Sequence, residues 1–241
     1  MNDTRRTKTF IGTMGLVAVI AAGYAILVSH TPHVYLPVAI ALLAGVTSRM
    51  KVKLPGINGN MSMNLPFLVV AIVALSAAEA VGVALISTAI QCWPRKNARI
   101  NAQQLTFNLS MMTFATSAAS IVVHAASHGS LTNATTLHLV LATATLFAGQ
   151  TSSVAAIVSV SERKASGPVW WNLAQLSFPY YVISAGMATM VQAMSSHLGW
   201  GLALAVFPVM YGIYRSYRLY FAHLAEVSPA TVLVKAAGAS A

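Results

Sequence analysis

Acidic side chains are nearly missing from this chain: Asp3, Glu79, Glu162 and Glu226 are its carboxylates, and charged residues of both signs make up 7% of 241 positions. A soluble domain carries roughly 25% charged residues, so an ordinary water-soluble globule is excluded. Cysteine is scarcer still. The single Cys92 permits no internal disulfide and no cysteine-based structural zinc site. Also lacking are a nucleotide-cradling glycine loop, an acidic pair and a Ser-His-Asp set that topology would unite, so the chain does not read as an enzyme. No cofactor is expected. His30, His33, His124 and His128 lie in or beside external loops and read as polar loop residues, so no metal is expected either.

What the chain has instead is apolar length: 57% of its residues are hydrophobic. Fourteen Lys and Arg give it a net charge of +10, which in a soluble protein would suggest nucleic acid. Here the basic residues sit in short clusters between apolar runs, as on cytoplasmic loops of membrane proteins. The lipid bilayer, and no nucleic acid, is the expected partner. Phe10 to Val28 follows Arg5, Arg6 and Lys8 and would extend ~28 Å as a helix, enough to cross the hydrocarbon core. No convincing cleavage site follows it, so it reads as a retained first helix rather than a signal peptide.

Applied along the chain, the positive-inside rule places the loops around residues 29–33, 128–133 and 195–199 outside. The clusters Arg49/Lys51/Lys53, Arg95/Lys96/Arg99, Arg163/Lys164 and Arg215/Arg218 fall inside. Full spans are expected over Phe10–Val28, Val34–Thr47, Leu105–Ala126, Leu137–Val160, Pro168–Met194 and Trp200–Tyr214. Residues 51–64 alternate polar and apolar positions around Pro55-Gly56 and Asn58-Gly59, which fits a small interfacial hairpin or an irregular loop. Leu65 to Trp93 lies between two basic clusters, so it must cross an even number of times. Two short limbs are therefore expected, Leu65–Leu75 and Ala80–Gln91, broken near Ser76-Ala77-Ala78-Glu79. Each would reach only ~17 Å against a ~30 Å core, as a re-entrant pair or as two thin crossings. The fold class is an all-α polytopic bundle with about six full spans plus that pair. It forms one membrane domain over 1–224, with a short cytoplasmic tail over 225–241 and both termini cytoplasmic.

Met61-Ser62-Met63-Asn64-Leu65-Pro66-Phe67 with Ala78-Glu79-Ala80, then Phe107-Asn108, then Ser177-Phe178-Pro179-Tyr180-Tyr181 with Tyr214-Arg215-Ser216-Tyr217-Arg218-Leu219-Tyr220, follow in an order that resembles a family of bacterial membrane regions. These are the integral-membrane N-terminal parts of signalling proteins that carry HD-GYP phosphodiesterase, diguanylate cyclase or histidine-kinase outputs. The resemblance covers about residues 10–224. It implies a sensory, ligand-binding module in the inner membrane. In the multidomain relatives the last helix runs on into an output domain, whereas here it meets Ser228-Pro229, so the resemblance implies signalling through a separate protein partner. The hairpin, short pair and span count are also similar to the S components of energy-coupling-factor transporters. That likeness implies a solute-capturing subunit which docks on an energising partner through small faces such as Ala18/Ala22 and Ala21/Ala25.

Glu79 is the acid inside a hydrophobic stretch, readable as a ligand contact or proton-responsive group, or as the N-terminal cap of the second limb. Asn64, Asn108, Gln150, Asn172 and Gln175 are amides near or inside spans, with Gln91 beside them. They could line a cavity for an uncharged or zwitterionic small molecule, or lock helices together. Asn172 and Gln175 share a helix face at i,i+3, as do Ser117 and Ser120. Tyr180 and Tyr181 lie deeper than the interfacial Trp170 and Trp171, next to a proline that can kink the helix, and join the ligand candidates. Tyr214, Arg215, Tyr217, Arg218 and Tyr220 combine lipid-anchoring chemistry with the surface expected to dock a partner. Single-cysteine labelling in a Cys92→Ser background tests the topology: Lys53→Cys and Arg99→Cys should label from the same side of the membrane, and Asn133→Cys from the other.

Overall fold

The computed structural model describes residues 2–28, 35–53, 60–94, 100–127, 135–198 and 206–227. Within them lie α1 (Asn2–Val28), α2 (Tyr35–Ser48), β1 (Lys51–Lys53), β2 (Asn60–Ser62), α3 (Leu65–Ala74), α4 (Ala77–Cys92), α5 (Ala102–Ser127), α6 (Thr135–Glu162), α7 (Ser166–Leu198) and α8 (Val206–Val227). Three of the six expected spans, α1, α5 and α6, are long and apolar enough to cross a membrane, and α2, α3 and α4 are shorter apolar helices. The hairpin expected over 51–64 is present as two antiparallel strands, with Lys51 opposite Ser62 and Lys53 opposite Asn60.

Leu65 to Trp93 is broken, as its flanking charges require. The break is confined to Leu75-Ser76, at the start of the stretch the sequence marks, and α4 begins three residues earlier than expected, with Ala77 to Glu79 as its first turn. The reason is local chemistry. Ser76 has extended backbone angles, its side chain accepts from the Glu79 amide, and the Glu79 carboxylate reaches back to the Ser76 N–H, a complete capping box. The two limbs then double back on each other. Asn64, just before α3, meets Ser87, ten residues into α4, and ten residues is also the length of α3. The chain thus enters α3 ~15 Å from the turn, and α4 runs past that level to Cys92, ~24 Å from the turn on the side from which the chain came. The helix α2 runs parallel to α4: Arg49, just past its end, donates from Nη1 to the carbonyls of Ile90 (3.2 Å) and Trp93 (3.0 Å) at the end of α4.

Every residue of α3 from Leu65 to Ile72 is buried. It packs against α7, α6, α5, α2 and α4. Its sequence, LPFLVVAIVA, is apolar on all sides, the pattern of a helix enclosed on all sides. The outer helices show the opposite distribution from a soluble protein. The stretch of α1 with the highest hydropathy is only 17% buried, and Leu16, Val19, Ile20 and Leu27 are each more than 60% exposed. Serines and threonines lie inside instead; Thr143, Thr151, Ser153 and Ser177 each donate to a carbonyl four residues back. Apolar surface on this scale is at home in lipid, where the outward face needs no polar groups.

Small residues set the helix spacing. A Cβ on Gly149 of α6 would lie 3.1 Å from the Ala115 Cβ and 3.3 Å from its Cα on α5. On α1, Ala18 and Ala25 are buried in a helix whose main neighbour is α5. The small face expected to meet a partner is therefore used within the chain. Gly149→Leu should force α5 and α6 apart and lower stability by about 2 kcal/mol, read as a lower melting temperature in mild detergent.

Candidate functional site

Several of the residues singled out in the sequence, Asn64, Asn108, Gln150, Tyr180 and Tyr181, take part in three separate sets of contacts. The most connected is the entry to α3. The strand β2 ends at Ser62, whose Oγ donates to Asn64 Oδ1 at 2.8 Å. The Asn64 Nδ2 donates to Ser87 Oγ on α4 at 3.4 Å, and Ser87 donates to the Ala84 carbonyl. From the other side comes Tyr180 of α7. Its hydroxyl donates to the Ser62 carbonyl at 2.6 Å and accepts from the Leu65 amide at 3.4 Å. The first amides of a helix have no intrahelical partner, and here a tyrosine more than a hundred positions away supplies one. The Asn64 carbonyl takes the next, from Phe67 and Leu68. Asn64 and Tyr180 are both buried, so one phenolic oxygen ties β2, α3 and α7 together in a place with little access to water.

One residue later, Tyr181 faces α6. Its hydroxyl donates to Gln150 Oε1 at 2.7 Å, and its ring meets Phe147 edge-on with centroids 5.1 Å apart. Trp170 Nε1 donates to Thr151 Oγ1 further along the same seam. Pro179 lies within α7 without ending it; lacking an N–H, it leaves the Gln175 carbonyl without its usual helical donor. The third place joins α5 to α4, where Asn108 Nδ2 lies 3.3 Å from Cys92 Sγ. These contacts follow the interhelical reading of the amides.

Asn172 and Gln175 share a face of α7, but that face is exposed and does not meet Asn64 or Gln150 in one cavity. Glu79 holds the cap of α4, its Oε2 2.9 Å from the Ser76 N and 2.7 Å from the Ser76 Oγ. It also borders an open groove between α2 and α4, about 600 Å³ in volume, along with Val38, Leu42, Gly82 and Ile86. Buried hydroxyls on Thr88, Thr116, Ser117, Ser120 and Ser184 and the Nε2 of Gln150 find no hydrogen-bond partner among the described residues. Such groups are places where a water or a small polar molecule would be stabilised. Of the flagged serines, Ser117 and Ser120 are both among them.

The expected docking residues lie on α8. Tyr214 is half-buried, while Arg215, Arg218 and Tyr220 are exposed; Tyr217 lies in the same helix. This helix is two-faced in sequence: Val206, Met210, Ile213, Tyr217, Phe221 and Leu224 recur at helical spacing, with Arg215 and Arg218 on the other side. It packs against β1. His124 Nδ1 lies 2.7 Å from the Ser120 carbonyl, and His30, His33 and His128 lie outside the described residues, as does most of the tail over 225–241.

Sequence reasoning did not pick out Ser62, Ser87 or Arg49 as connectors. For Ser62 and Ser87 the one available signal is a hydroxyl at the edge of or inside an apolar limb. Tyr180→Phe should leave the Ser62 carbonyl and Leu65 amide without a partner and lower stability by about 2 kcal/mol, whereas Tyr181→Phe removes one bond at the seam and should cost about half as much. Thermal unfolding in detergent measures both. No protein-family model, no curated protein and no solved structure matches this chain.

Proposed function

We propose that the chain is a sensory module of the bacterial inner membrane. In this reading it has six full spans, formed by α1, α2, α5, α6, α7 and α8, around the re-entrant pair α3–α4, and both termini are cytoplasmic. A small molecule or a membrane state biases how the α3–α4 pair packs against α7, and α8 passes the shift to a separate cytoplasmic or membrane partner. Such coupling requires two packings of similar free energy whose balance the signal tips.

The observation that carries the reading is a continuous physical route from core to periphery. Tyr180, beside the Pro179 discontinuity, bonds to the last residue of β2 and the first of α3. The strand β2 pairs with β1, and β1 packs against α8. A displacement of α7 relative to α3 acts on that chain of contacts at Ser62 and reaches the helix with Arg215 and Arg218 through three short steps.

The transport reading, in which the chain is a solute-binding subunit like an S component, asks the small face of α1 to meet an energising partner. Ala18 and Ala25 are buried within the chain, and Leu16, Val19, Ile20 and Leu27 stand outward on α1, which favours the sensory reading. Mild-detergent co-purification from the native host discriminates the two. The expected result is a kinase or cyclic-dinucleotide enzyme whose recovery falls when Arg215 and Arg218 are both replaced by glutamine. Recovery of an ATPase with a transmembrane coupling subunit would replace sensing with transport. Hydrogen exchange adds a second measure: Tyr180→Phe should speed amide exchange in β1, β2 and α8 more than in α1.

A further inference from the structure

The groove between α2 and α4 takes no part in the route through Tyr180. Its walls include Val38, Leu42, Val46 and Ile86, each more than half exposed. Its volume of about 600 Å³ falls within the ~300–1,000 Å³ of sites that hold small organic molecules. At Gly82 a side chain would meet nothing within 4 Å, so the bottom of the groove is open.

The two ends differ in charge. At the end toward β1 stands Arg49, its guanidinium held in place by the Ile90 and Trp93 carbonyls at the end of α4, with Lys51 and Lys53 following in sequence. At the other end the Glu79 carboxylate is turned onto the N–H and Oγ of Ser76, where the start of α4 compensates its charge. An apolar trough facing lipid, with a fixed cation at one mouth and, at the far end, a carboxylate already hydrogen-bonded to Ser76, is complementary to an amphiphile with an anionic head. A guanidinium suits phosphate through charge-assisted bonds, and the cytoplasmic leaflet supplies anionic lipid.

We propose that this groove is a specific site for one anionic phospholipid, its acyl chain lying along α2 and α4 and its phosphate on Arg49. The inference rests on the membrane placement proposed above and is independent of the signalling role. Charge complementarity decides the occupant: an apolar helix of another protein or a second copy of this chain would have no use for the cation at the mouth.

The test is native mass spectrometry of the full chain released from vesicles of equal phosphatidylglycerol and phosphatidylethanolamine. One phosphatidylglycerol per chain is expected, preferred about tenfold over phosphatidylethanolamine. Gly82→Leu, which fills open space, should lower that preference at least fivefold. Gly23→Leu, also in open space but on α1, should leave it unchanged. Arg49→Gln should lower it too, and Arg49→Lys should recover part of it because the charge is kept. If Arg49→Gln proves unstable through loss of its contacts to α4, Gly82→Leu decides. Equal retention of the two lipids, full preference in Gly82→Leu, or a polypeptide on this face in place of lipid would overturn the site. Release of the chain from membranes by alkaline carbonate would overturn the membrane placement and the site together, whereas a membrane-retained chain without lipid preference overturns the site alone.

Discussion

Everything in this bundle is arranged around the enclosure of α3. A ten-residue helix leaves several amides and carbonyls outside its own ladder, and away from water each such group needs a partner from the protein. At the start of α3 the partners are the Tyr180 hydroxyl and the Asn64 carbonyl; beyond its end, the Ser76 N–H is taken by Glu79. The apolar side chains are the easier part, since every neighbour offers them a dry surface. The polar ends decide where α7 must pass and why α4 must begin with a capping box. Because one phenolic oxygen serves both the strand hairpin and the helix start, the position of α7 cannot change without changing the ties at β2.

Much of the architecture was legible in the residues. The basic clusters around Leu65 to Trp93 call for a broken, returning segment, and the contact of Asn64 with Ser87 shows that α4 doubles back along α3. The alternation around Pro55-Gly56 and Asn58-Gly59 marked a hairpin, and paired strands flank it. The break is shorter than the residues suggest because Ala77 and Ala78 carry no signal of their own; only the Ser76–Glu79 spacing, read as a capping box, places them inside the helix. The small stripe of α1 was legible as a close-packing face, but which helix would meet it was not, since spacing alone does not distinguish α5 of the same chain from a partner.

The polar residues were legible as important and less so as to role. Each amide inside a span had to find a partner, and an amide bonded to another helix looks, from sequence, the same as one facing a ligand. Asn108 against Cys92 and Gln150 against Tyr181 are of the first kind. Asn172 and Gln175 share a face, as their spacing required, but spacing does not say whether that face looks inward. Tyr180 stands out in sequence by its depth beside Pro179; its task, capping a helix that begins 115 positions earlier, depends on tertiary placement that no local pattern encodes.

The neighbours of α3 also impose an order on biogenesis. Four of the five helices that enclose it, α4, α5, α6 and α7, come after it in the chain. At ~15 Å α3 is too short to settle across a bilayer by itself, whereas α1, the least buried of the long apolar helices, can partition into lipid as soon as it leaves the ribosome. The growing polypeptide therefore carries an unfinished centre while α5 to α7 are being made, and the hydroxyl of Tyr180 arrives late enough to act as the latch that closes it.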